Sequence, residues 1–398
     1  KPADCKVYYD GRFELRLNLT LPKNCLGKML DDRHVDIEVG GLKKLNLRCL
    51  TTRHSLSSVG GSDLELFPRT LPVDLGSHEN IFRATGVIIC GPNMLIPTQR
   101  SLVFSCDGIS IAINTFKHTD AIYLERRNFI GKNAVTHWFE LGKLDSSRLT
   151  LAQLNEAVSI LRDFLSFVGG SRIGIAHVSG YDEFGAIVFL QLGSTKYNSM
   201  GTNKNWFDLH LTNTLPTLFE RFSTAYQVPQ KNLTIRRTIE YYSLANHIRE
   251  TSIEAALLMS YAGLETLADI VLKENPNERQ SRSKKKTDLL RQAARILGLQ
   301  SDPAESLSEL QRVIADRKLE DGYHAIKEFR NSVTHSEKFN YTGLELHQAW
   351  VASQWLFETL FALWFGYDGD FSDRRSKKWV GERVKITDYL NNPTPAHP

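Results

Sequence analysis

The chain has 398 residues, of which 24% are charged and 41% hydrophobic, and its formal net charge is +4. This balance is typical of folded globular proteins and excludes a disordered chain. The length exceeds what one hydrophobic core usually supports, so we predict at least two domains. Apolar runs shorter than the roughly 20 residues of a membrane span predict no membrane contact. A net charge this small does not identify a partner.

The cysteines argue against a protein stabilised by disulfides. All five lie in the first third of the chain, in an odd and widely spaced set, which predicts a reducing, cytoplasmic compartment. Cys25, His34, Cys49 and His54 are candidate zinc ligands, but none has the paired spacing of a zinc knuckle or ribbon. We therefore expect neither a metal nor another cofactor.

The first part of the chain, residues 1–146, is predicted to be a β-rich domain. Segments such as RFELRLNLTL and HVDIEVGG alternate apolar and polar residues and are separated by Gly, Pro, Asn and Asp. This pattern is typical of short strands joined by turns. It favours a sandwich or a barrel-like sheet.

A mixed region with a helix, a hairpin and a further helix is predicted over residues 147–230. Apolar residues between Leu151 and Val168 recur every three to four positions and are followed by a Gly pair, which predicts a helix and its end. The runs RIGIAHV and FGAIVFLQLG, joined by the turn-rich SGYDEFG, predict a hairpin. A Pro and polar residues between Tyr226 and Ile235 predict a linker.

An all-α bundle is predicted over residues 231–366, where strand signals stop and segments with helical periodicity follow one another with short breaks. The remaining residues, 367–398, are polar, basic and Pro-containing. They predict an extension that is at most partly ordered. The predicted fold class is therefore α+β and multidomain.

One predicted helix of the bundle contains the stretch FRNSVTH, residues 329–335. At about 100° per residue, Asn331 and His335 share a face that points away from the apolar stripe. Arg330 lies at the boundary between this face and the apolar stripe. At about 100° per residue, it is turned from His335 by about 140° around the helix axis. The stripe itself consists of Ile326, Phe329 and Val333.

The angle between Arg330 and His335 predicts that the two would flank a groove rather than hold one small ligand within a single helix. Two copies of this face that meet about a two-fold axis would form such a groove. The residue types suit phosphodiester cleavage, because Arg keeps its charge for phosphate oxygens and His can move protons near neutral pH. Exposed polar residues more often only contact water, and that alternative stays open.

RNSVTH resembles the R-N-x3-H form of the R-x4-6-H motif of HEPN domains. The helices from about Ile235 to Gly366 are similar to the HEPN bundle, with SYAGLETLADIV as the long helix before the motif. The resemblance implies a metal-independent endoribonuclease that forms a homodimer or a higher homo-oligomer through the motif face. It assigns catalytic roles to Arg330, Asn331 and His335, and it implies attack of the ribose 2′-hydroxyl on the adjacent phosphorus. A longer loop, ERQSRSKKK, and the C-terminal extension depart from the minimal bundle.

The order of segments also resembles the layout of ApeA-like antiphage defence proteins, some of which act on tRNA. This likeness implies a toxin or abortive-infection effector that cleaves RNA, with tRNA as a candidate substrate. It further implies that the N-terminal region responds to a phage-derived or host trigger.

Other residues are predicted to assist. Glu265, within the long helix, is expected to support Arg330. Two basic clusters are candidates for contact with the RNA backbone. The first is formed by Arg282, Lys284, Lys285 and Lys286, and the second includes Arg374 and Arg375. A solvated loop explains the first cluster equally well, and a surface tail explains the second. The main alternative to an enzyme is a catalytically inactive HEPN-like scaffold for RNA binding or dimerisation. A DNA-binding regulator that uses the basic loop is a third class.

Overall fold

The computed structural model describes most of the chain from Asp74 onward. Side chains are described for residues 74–76, 80–94, 101–116, 119, 122, 131–201, 205–277, 289–335, 341–376, 379 and 381–390. Before residue 74 the description covers only the backbone of strands, and for residues 286–288 only the backbone of a helix.

The described strands before residue 69 form an antiparallel five-stranded sheet. Its order is β1-β2-β5-β4-β3. The strands are β1 (Cys5–Tyr9), β2 (Leu15–Pro22), β3 (Arg33–Val39), β4 (Leu42–Leu56) and β5 (Gly61–Pro68). The predicted β-rich character of this part of the chain is confirmed.

A second antiparallel sheet has seven strands in the order β6-β12-β11-β7-β10-β9-β8. The strands are β6 (Val73–Gly76), β7 (Arg83–Ile89), β8 (Ser101–Cys106), β9 (Ile109–Thr115), β10 (Val135–Lys143), β11 (Gly174–Tyr181) and β12 (Ile187–Ser194). Strands β8 and β9 are joined by Asp107 and Gly108, which both have positive φ angles. Asp-Gly is the pair that a two-residue hairpin turn of this kind prefers.

The predicted hairpin is formed by β11 and β12, and it lies inside this second sheet. Strand β11 pairs with β12 on one side and with β7 on the other. Residues on both sides of the predicted boundary at 146 therefore share one sheet. The described strands of neither sheet close into a barrel.

Helix α1 (Leu151–Gly169) covers this sheet and has the ends that its sequence predicts. Thr150 and Gln153 form a capping box at its start, and Gly170 ends it with φ 63°, a left-handed conformation that Gly adopts at no steric cost. Phe164 of α1 packs edge-on against Phe104 of β8, with 5.5 Å between ring centroids. This contact joins the helix to the sheet.

The C-terminal half is a helical bundle, as predicted. Its helices are α2 (Leu215–Tyr226), α3 (Pro229–Ile248), α4 (Ile253–Glu274), α5 (Lys286–Ile296), α6 (Ser308–Asp316), α7 (Gly322–Thr334) and α8 (Gly343–Trp364). Helix α8 lies at the centre, where Trp355, Phe357 and Phe361 are fully buried or nearly so. The α+β fold class is thus confirmed.

The predicted linker between Tyr226 and Ile235 is wrong. Helix α2 ends at Tyr226, and α3 begins at Pro229. Proline is tolerated in the first turn of a helix because its missing N–H has no intrahelical partner there. The Pro that suggested a linker instead starts a helix of the bundle.

The C-terminal extension is ordered further than the sequence predicts. Strands β13 (Asp370–Phe371) and β14 (Val384–Lys385) pair with each other. Phe371 and Ile386 are fully buried, and the ring of Phe371 stacks on Trp206 at 5.9 Å. The described part of this segment is therefore built into the bundle core, while residues 391–398 lie outside the described residues.

Helix α4 corrects another expectation. Its length and hydropathy would allow it to cross a membrane, although the sequence predicted that no apolar segment reaches that length. Tyr261, Leu264 and Leu267 of α4 are buried, and the helix packs against α3, α7 and α8. In this structure it is a core helix of the bundle.

Candidate functional site

Two contacts fix the start of α7, the helix that carries the motif. Asp321 caps it: its Oδ1 accepts a hydrogen bond from the backbone N–H of His324 at 2.8 Å. Arg291 of α5 donates to both oxygens of the same carboxylate, from Nε at 2.7 Å and from Nη2 at 2.9 Å. Paired Arg–carboxylate hydrogen bonds add directional constraint to the cap. The N-terminal end of the motif helix is therefore anchored to its neighbour.

The core-facing side of α7 agrees with the predicted stripe, and all three of its residues contact the core. Ile326 and Phe329 are fully buried, and the Phe329 ring stacks on Tyr341 at 4.0 Å. Val333 is only partly buried. Ser332 is buried instead, and its hydroxyl donates to the backbone oxygen of Glu328 at 2.8 Å, so a buried Ser is satisfied within its own helix.

Arg330 is half-buried between its own helix and α4. Its Nη1 donates to Asn331 Oδ1 at 3.2 Å, and its guanidinium carbon lies 5.5 Å from the centre of the Tyr261 ring. Burial and the negative charge of Glu265 raise the pKa of Tyr261 to about 12, against an opposing effect of Arg330. Glu265 and Arg330 thus act on the same tyrosine. The support of Arg330 by Glu265 stays a prediction, and the position of both residues near Tyr261 is compatible with it.

His335 lies just outside the helix. Helix α7 ends at Thr334, and the backbone N–H of His335 donates to Asn331 O at 3.0 Å as the C-cap. The side chain is exposed, and its imidazole makes no hydrogen bond with the residues that the structure describes. The prediction that placed His335 within the helix was off by one residue, because the backbone of His335 leaves the helical conformation, with φ −123° and ψ 86°.

In the part of the chain that the structure describes, the motif therefore lies outside any cleft. Arg330 is held by Asn331 and by the ring of Tyr261, whereas His335 is accessible to solvent. None of them lines either of the two clefts described below. A guanidinium can bind a phosphate, and an accessible imidazole can transfer a proton. Among the described residues, no side chain lines a cleft opposite these groups.

Arg374 does not have the surface position that RNA binding would require. Its side chain is 3% exposed, and it donates from Nε to Glu358 Oε2 at 2.9 Å. Glu358 also accepts a hydrogen bond from the Tyr242 hydroxyl at 2.5 Å. Burial raises the pKa of Glu358, and the charge of Arg374 opposes that effect. This basic residue belongs to a buried polar network.

Arg375 is also used inside the fold. Its guanidinium pairs with Asp373 at 2.8 Å, donates to the backbone oxygen of Asp302 at 2.7 Å and lies 3.4 Å from the centre of the Trp355 ring. It forms part of the wall of a cleft of about 640 Å³ between the α5–α6 connection and the C-terminal segment. The predicted contact of Arg374 and Arg375 with RNA does not fit these positions.

The other predicted RNA-binding cluster cannot be placed. Arg282, Lys284 and Lys285 lie outside the described residues, and of Lys286 only the backbone is described, at the start of α5. Their contact with RNA stays a prediction.

The described residues contain no group of three or more His, Cys, Asp and Glu side chains that could hold a metal ion. Cys90 and Cys106 are buried thiols, and burial with nearby carboxylates raises the pKa of Cys106 to about 11. Cys25, His34, Cys49 and His54, weighed above as zinc ligands, have no described side chains.

One feature escaped the sequence analysis altogether. Arg162 and Arg172, near the C-terminal end of α1, lie beside Arg236 of α3 in a cleft between the sheet region and the bundle. The only sequence signal was a basic residue on either side of the FLSFVGG stretch. Because the third arginine is distant in the chain, the cluster is visible only in the fold.

Comparisons with known proteins give two family similarities. Residues 81–201 match a family model described as the YopA central domain, and residues 229–385 match one described as the YopA C-terminal domain. The second match includes the motif and the extension as far as residue 385. The chain is also similar to the SPbeta prophage-derived uncharacterized protein YopA of Bacillus subtilis (strain 168), with 23% identity over 264 residues.

That similarity covers 65% of this chain and 59% of the relative, so the chain spans less than two thirds of the length of the relative. No solved structure matches the chain at a significant level.

Proposed function

We propose that the chain is a metal-independent endoribonuclease of the HEPN type. The observation that carries the proposal is the end of α7, where Arg330 is fixed by Asn331 and Tyr261 while His335 remains exposed. A buried, paired arginine and a buried histidine would serve the fold. This pair instead keeps a charged group and a titratable group available at one helix end.

The active unit in this proposal is a homodimer or a higher homo-oligomer. Among the described residues the motif lines no cleft, and its helix is anchored by Asp321, Arg291 and the core residues Ile326 and Phe329. A two-fold axis that passes beside the motif would bring each Arg330 near the His335 of the other copy. The RNA strand would then lie in the groove between the copies.

The proposed reaction uses the ribose as its own nucleophile. His335 takes the proton of a 2′-hydroxyl, whose oxygen attacks the adjacent phosphorus, and the bond from phosphorus to the 5′ oxygen breaks. A protonated imidazole returns a proton to the departing 5′ oxygen. Arg330 stabilises the charge that develops on the phosphate oxygens, and Asn331 and Glu265 orient it. The products are a 2′,3′-cyclic phosphate and a 5′-hydroxyl.

The biological setting follows by similarity. The relative from Bacillus subtilis is prophage-derived by its name, which fits an origin in conflict between phage and host. We propose a cytoplasmic antiphage or toxin effector, with RNA as substrate and tRNA as the first candidate. The β-rich N-terminal region would then respond to a phage-derived or host trigger, since an unregulated ribonuclease would harm its own cell.

The direct test is cleavage of tRNA and total RNA by purified protein in excess chelator. Wild type should leave 2′,3′-cyclic phosphate ends. His335→Ala and Arg330→Ala should each lower the rate by about 100-fold or more, the usual contribution of a proton-transfer residue and of a group that stabilises charge in the transition state. Because His335 is exposed, its variant should keep the free energy of unfolding within about 0.5 kcal/mol of wild type.

Matched controls come from the same bundle. His324→Gln changes a half-buried histidine of the same helix, and Arg295→Ala changes an exposed arginine of α5; both should cleave at the wild-type rate. Equal cleavage by all variants would reject the proposal. RNA binding by wild type without any cleavage would favour the inactive scaffold, and loss of activity in chelator would reject the metal-free mechanism.

A further inference from the structure

A cleft of about 380 Å³ lies where the sheet region meets the helical bundle. One wall is formed by the end of α1 and the residues after β12, and the other by the middle of α3. The first wall belongs to the segment that matches the central-domain model, and the second to the segment that matches the C-terminal-domain model. The volume is in the range of small-molecule sites, which often lie at domain junctions.

Positive charge dominates the lining. Arg162, Arg172, Lys196 and Arg236 face the cleft together with only two carboxylates, Asp163 and Glu240, which leaves an excess of two positive charges. Arg162 and Arg172 have side chains that are 22% and 33% exposed. Charges removed from water in this way act more strongly on a ligand than charges on an open surface.

The carboxylates do not neutralise the cluster. Asp163 is shared: its Oδ1 accepts from Arg162 Nε at 2.8 Å, and its Oδ2 lies 3.6 Å from Arg236 Nε and accepts from the Tyr226 hydroxyl at 2.7 Å. One carboxylate thus faces two guanidinium groups.

The second carboxylate has one partner. Glu240 pairs with Arg172, and its side chain is 59% exposed. Lys196 is exposed and pairs with no acid among the described residues. An anion in the cleft would therefore meet cationic groups that the protein itself leaves unbalanced.

A buried hydroxyl at the same place gives a second, independent observation. Ser243 of α3 lines the cleft and is 2% exposed, yet its Oγ has no hydrogen-bond partner among the described residues. A buried hydroxyl without a partner destabilises the fold, so it calls for an explanation, and a bound ligand is one. Ser166 nearby differs, because its Oγ donates to Arg162 O and accepts from the backbone N–H of Ile173.

We propose that this cleft binds the phosphate groups of a small phosphorylated ligand, held by Arg172, Lys196, Arg236 and the hydroxyl of Ser243. Guanidinium groups match phosphate oxygens in geometry and charge, and the hydroxyl supplies one more donor. A ligand there would contact both regions of the chain at once. This site is separate from the motif at the end of α7 and does not rest on the proposed ribonuclease activity.

The test is isothermal titration calorimetry on the full chain, with inorganic phosphate, pyrophosphate, ATP and adenosine as probes. Saturable binding of pyrophosphate or ATP, with no binding of adenosine, is expected. Equal binding of adenosine and ATP, or no saturable binding of any phosphorylated probe, would overturn the proposal. Inorganic phosphate that binds as tightly as ATP would identify the free ion as the ligand of this site.

Four variants sharpen the assignment. Lys196→Glu and Arg172→Gln should weaken binding by about tenfold or more, because each removes a charged donor. Glu240→Gln should tighten it by about two- to fivefold, since an exposed competing carboxylate is lost. Ser243→Ala should weaken binding by about two- to tenfold without lowering the melting temperature; a hydroxyl with a structural role would lower the melting temperature instead.

Lys273→Ala is the matched control, because Lys273 is an exposed lysine of α4 that pairs with Asp269 and does not line the cleft. Its affinity for each probe should equal that of wild type. If Lys273→Ala and Lys196→Glu weaken binding equally, the attraction is a general surface effect and the site is rejected.

Discussion

Two arginine-containing segments of the bundle look alike in sequence and differ in their surroundings. In the C-terminal segment, Arg374 and Arg375 have side chains that are 3% and 2% exposed and pair with Glu358 and Asp373. At the end of α7, Arg330 is half-buried and bonds to a neutral amide. The comparison teaches that the partners available in the fold decide whether an arginine stabilises the bundle or stays available for a ligand.

The largest expected effect tests the first half of this comparison. Arg374→Ala would leave the carboxylate of Glu358 buried without its cation, which typically costs about 3–5 kcal/mol. Urea denaturation of the variant and of Arg295→Ala should show this loss for the first and almost none for the second. A loss below about 1 kcal/mol would mean that the pair behaves like a surface ion pair.

A paired change sharpens the same point. Arg374→Met together with Glu358→Gln removes both charges and keeps an acceptor for the hydroxyl of Tyr242. Buried pairs replaced by neutral groups often lose little stability, so the double variant should be more stable than Arg374→Ala. If the double variant is less stable, the charges themselves contribute net stability to the core.

The histidines extend the comparison. His137 of β10 is fully buried, and burial lowers its pKa to about 3, whereas His335 is exposed. The unfolded chain binds a proton at His137 below about pH 6.5, and the folded chain does so only near pH 3. The free energy of unfolding therefore carries no penalty from His137 above about pH 6.5, and it decreases as the pH is lowered below that value.

When the pH is lowered from 7.5 to 5.5, we expect His137 to lower the free energy of unfolding by about 1.4 kcal/mol. Urea denaturation at both pH values gives the slope of the free energy of unfolding against pH. The slope is compared between wild type and His137→Gln, and the variant should have the smaller one. A His137→Gln variant with an unchanged slope would contradict the burial argument.

An effect of similar size is expected at the anchored end of the motif helix. Asp321→Ala removes both the cap of α7 and the paired contact with Arg291, and we expect a loss of about 1–2 kcal/mol. Asp321→Asn keeps a capping oxygen and should lose less. Equal losses for the two variants would show that the ion pair, and not the cap, fixes the helix.

Much of the fold was predictable because local patterns carried it. Gly170 and the apolar stripe of α1 predicted that helix and its end, and helical periodicity predicted the bundle. Pro229 misled the prediction, since a proline can begin a helix as well as break one. The order of the extension depends on burial of Phe371 and Ile386 against distant residues, which no local pattern reports.

The candidate site divides in the same way. Periodicity placed Ile326 and Phe329 in the core and Arg330 at its edge, because the position of a residue around a helix follows from its number. The pairing of Arg374 with Glu358 and the cleft beside Ser243 both join residues from separate helices or segments. Such contacts depend on tertiary packing and were out of reach.

The most direct test of the central claim, that two copies share one ribonuclease site, is to mix two inactive variants. Arg330→Ala and His335→Ala are combined in equal amounts, exchanged into mixed dimers and assayed on tRNA in chelator. In a mixed dimer one shared site is intact and the other lacks both residues, so the mixture should recover about a quarter of the wild-type rate. Mixed dimers that form but cleave no faster than either variant alone would contradict the account.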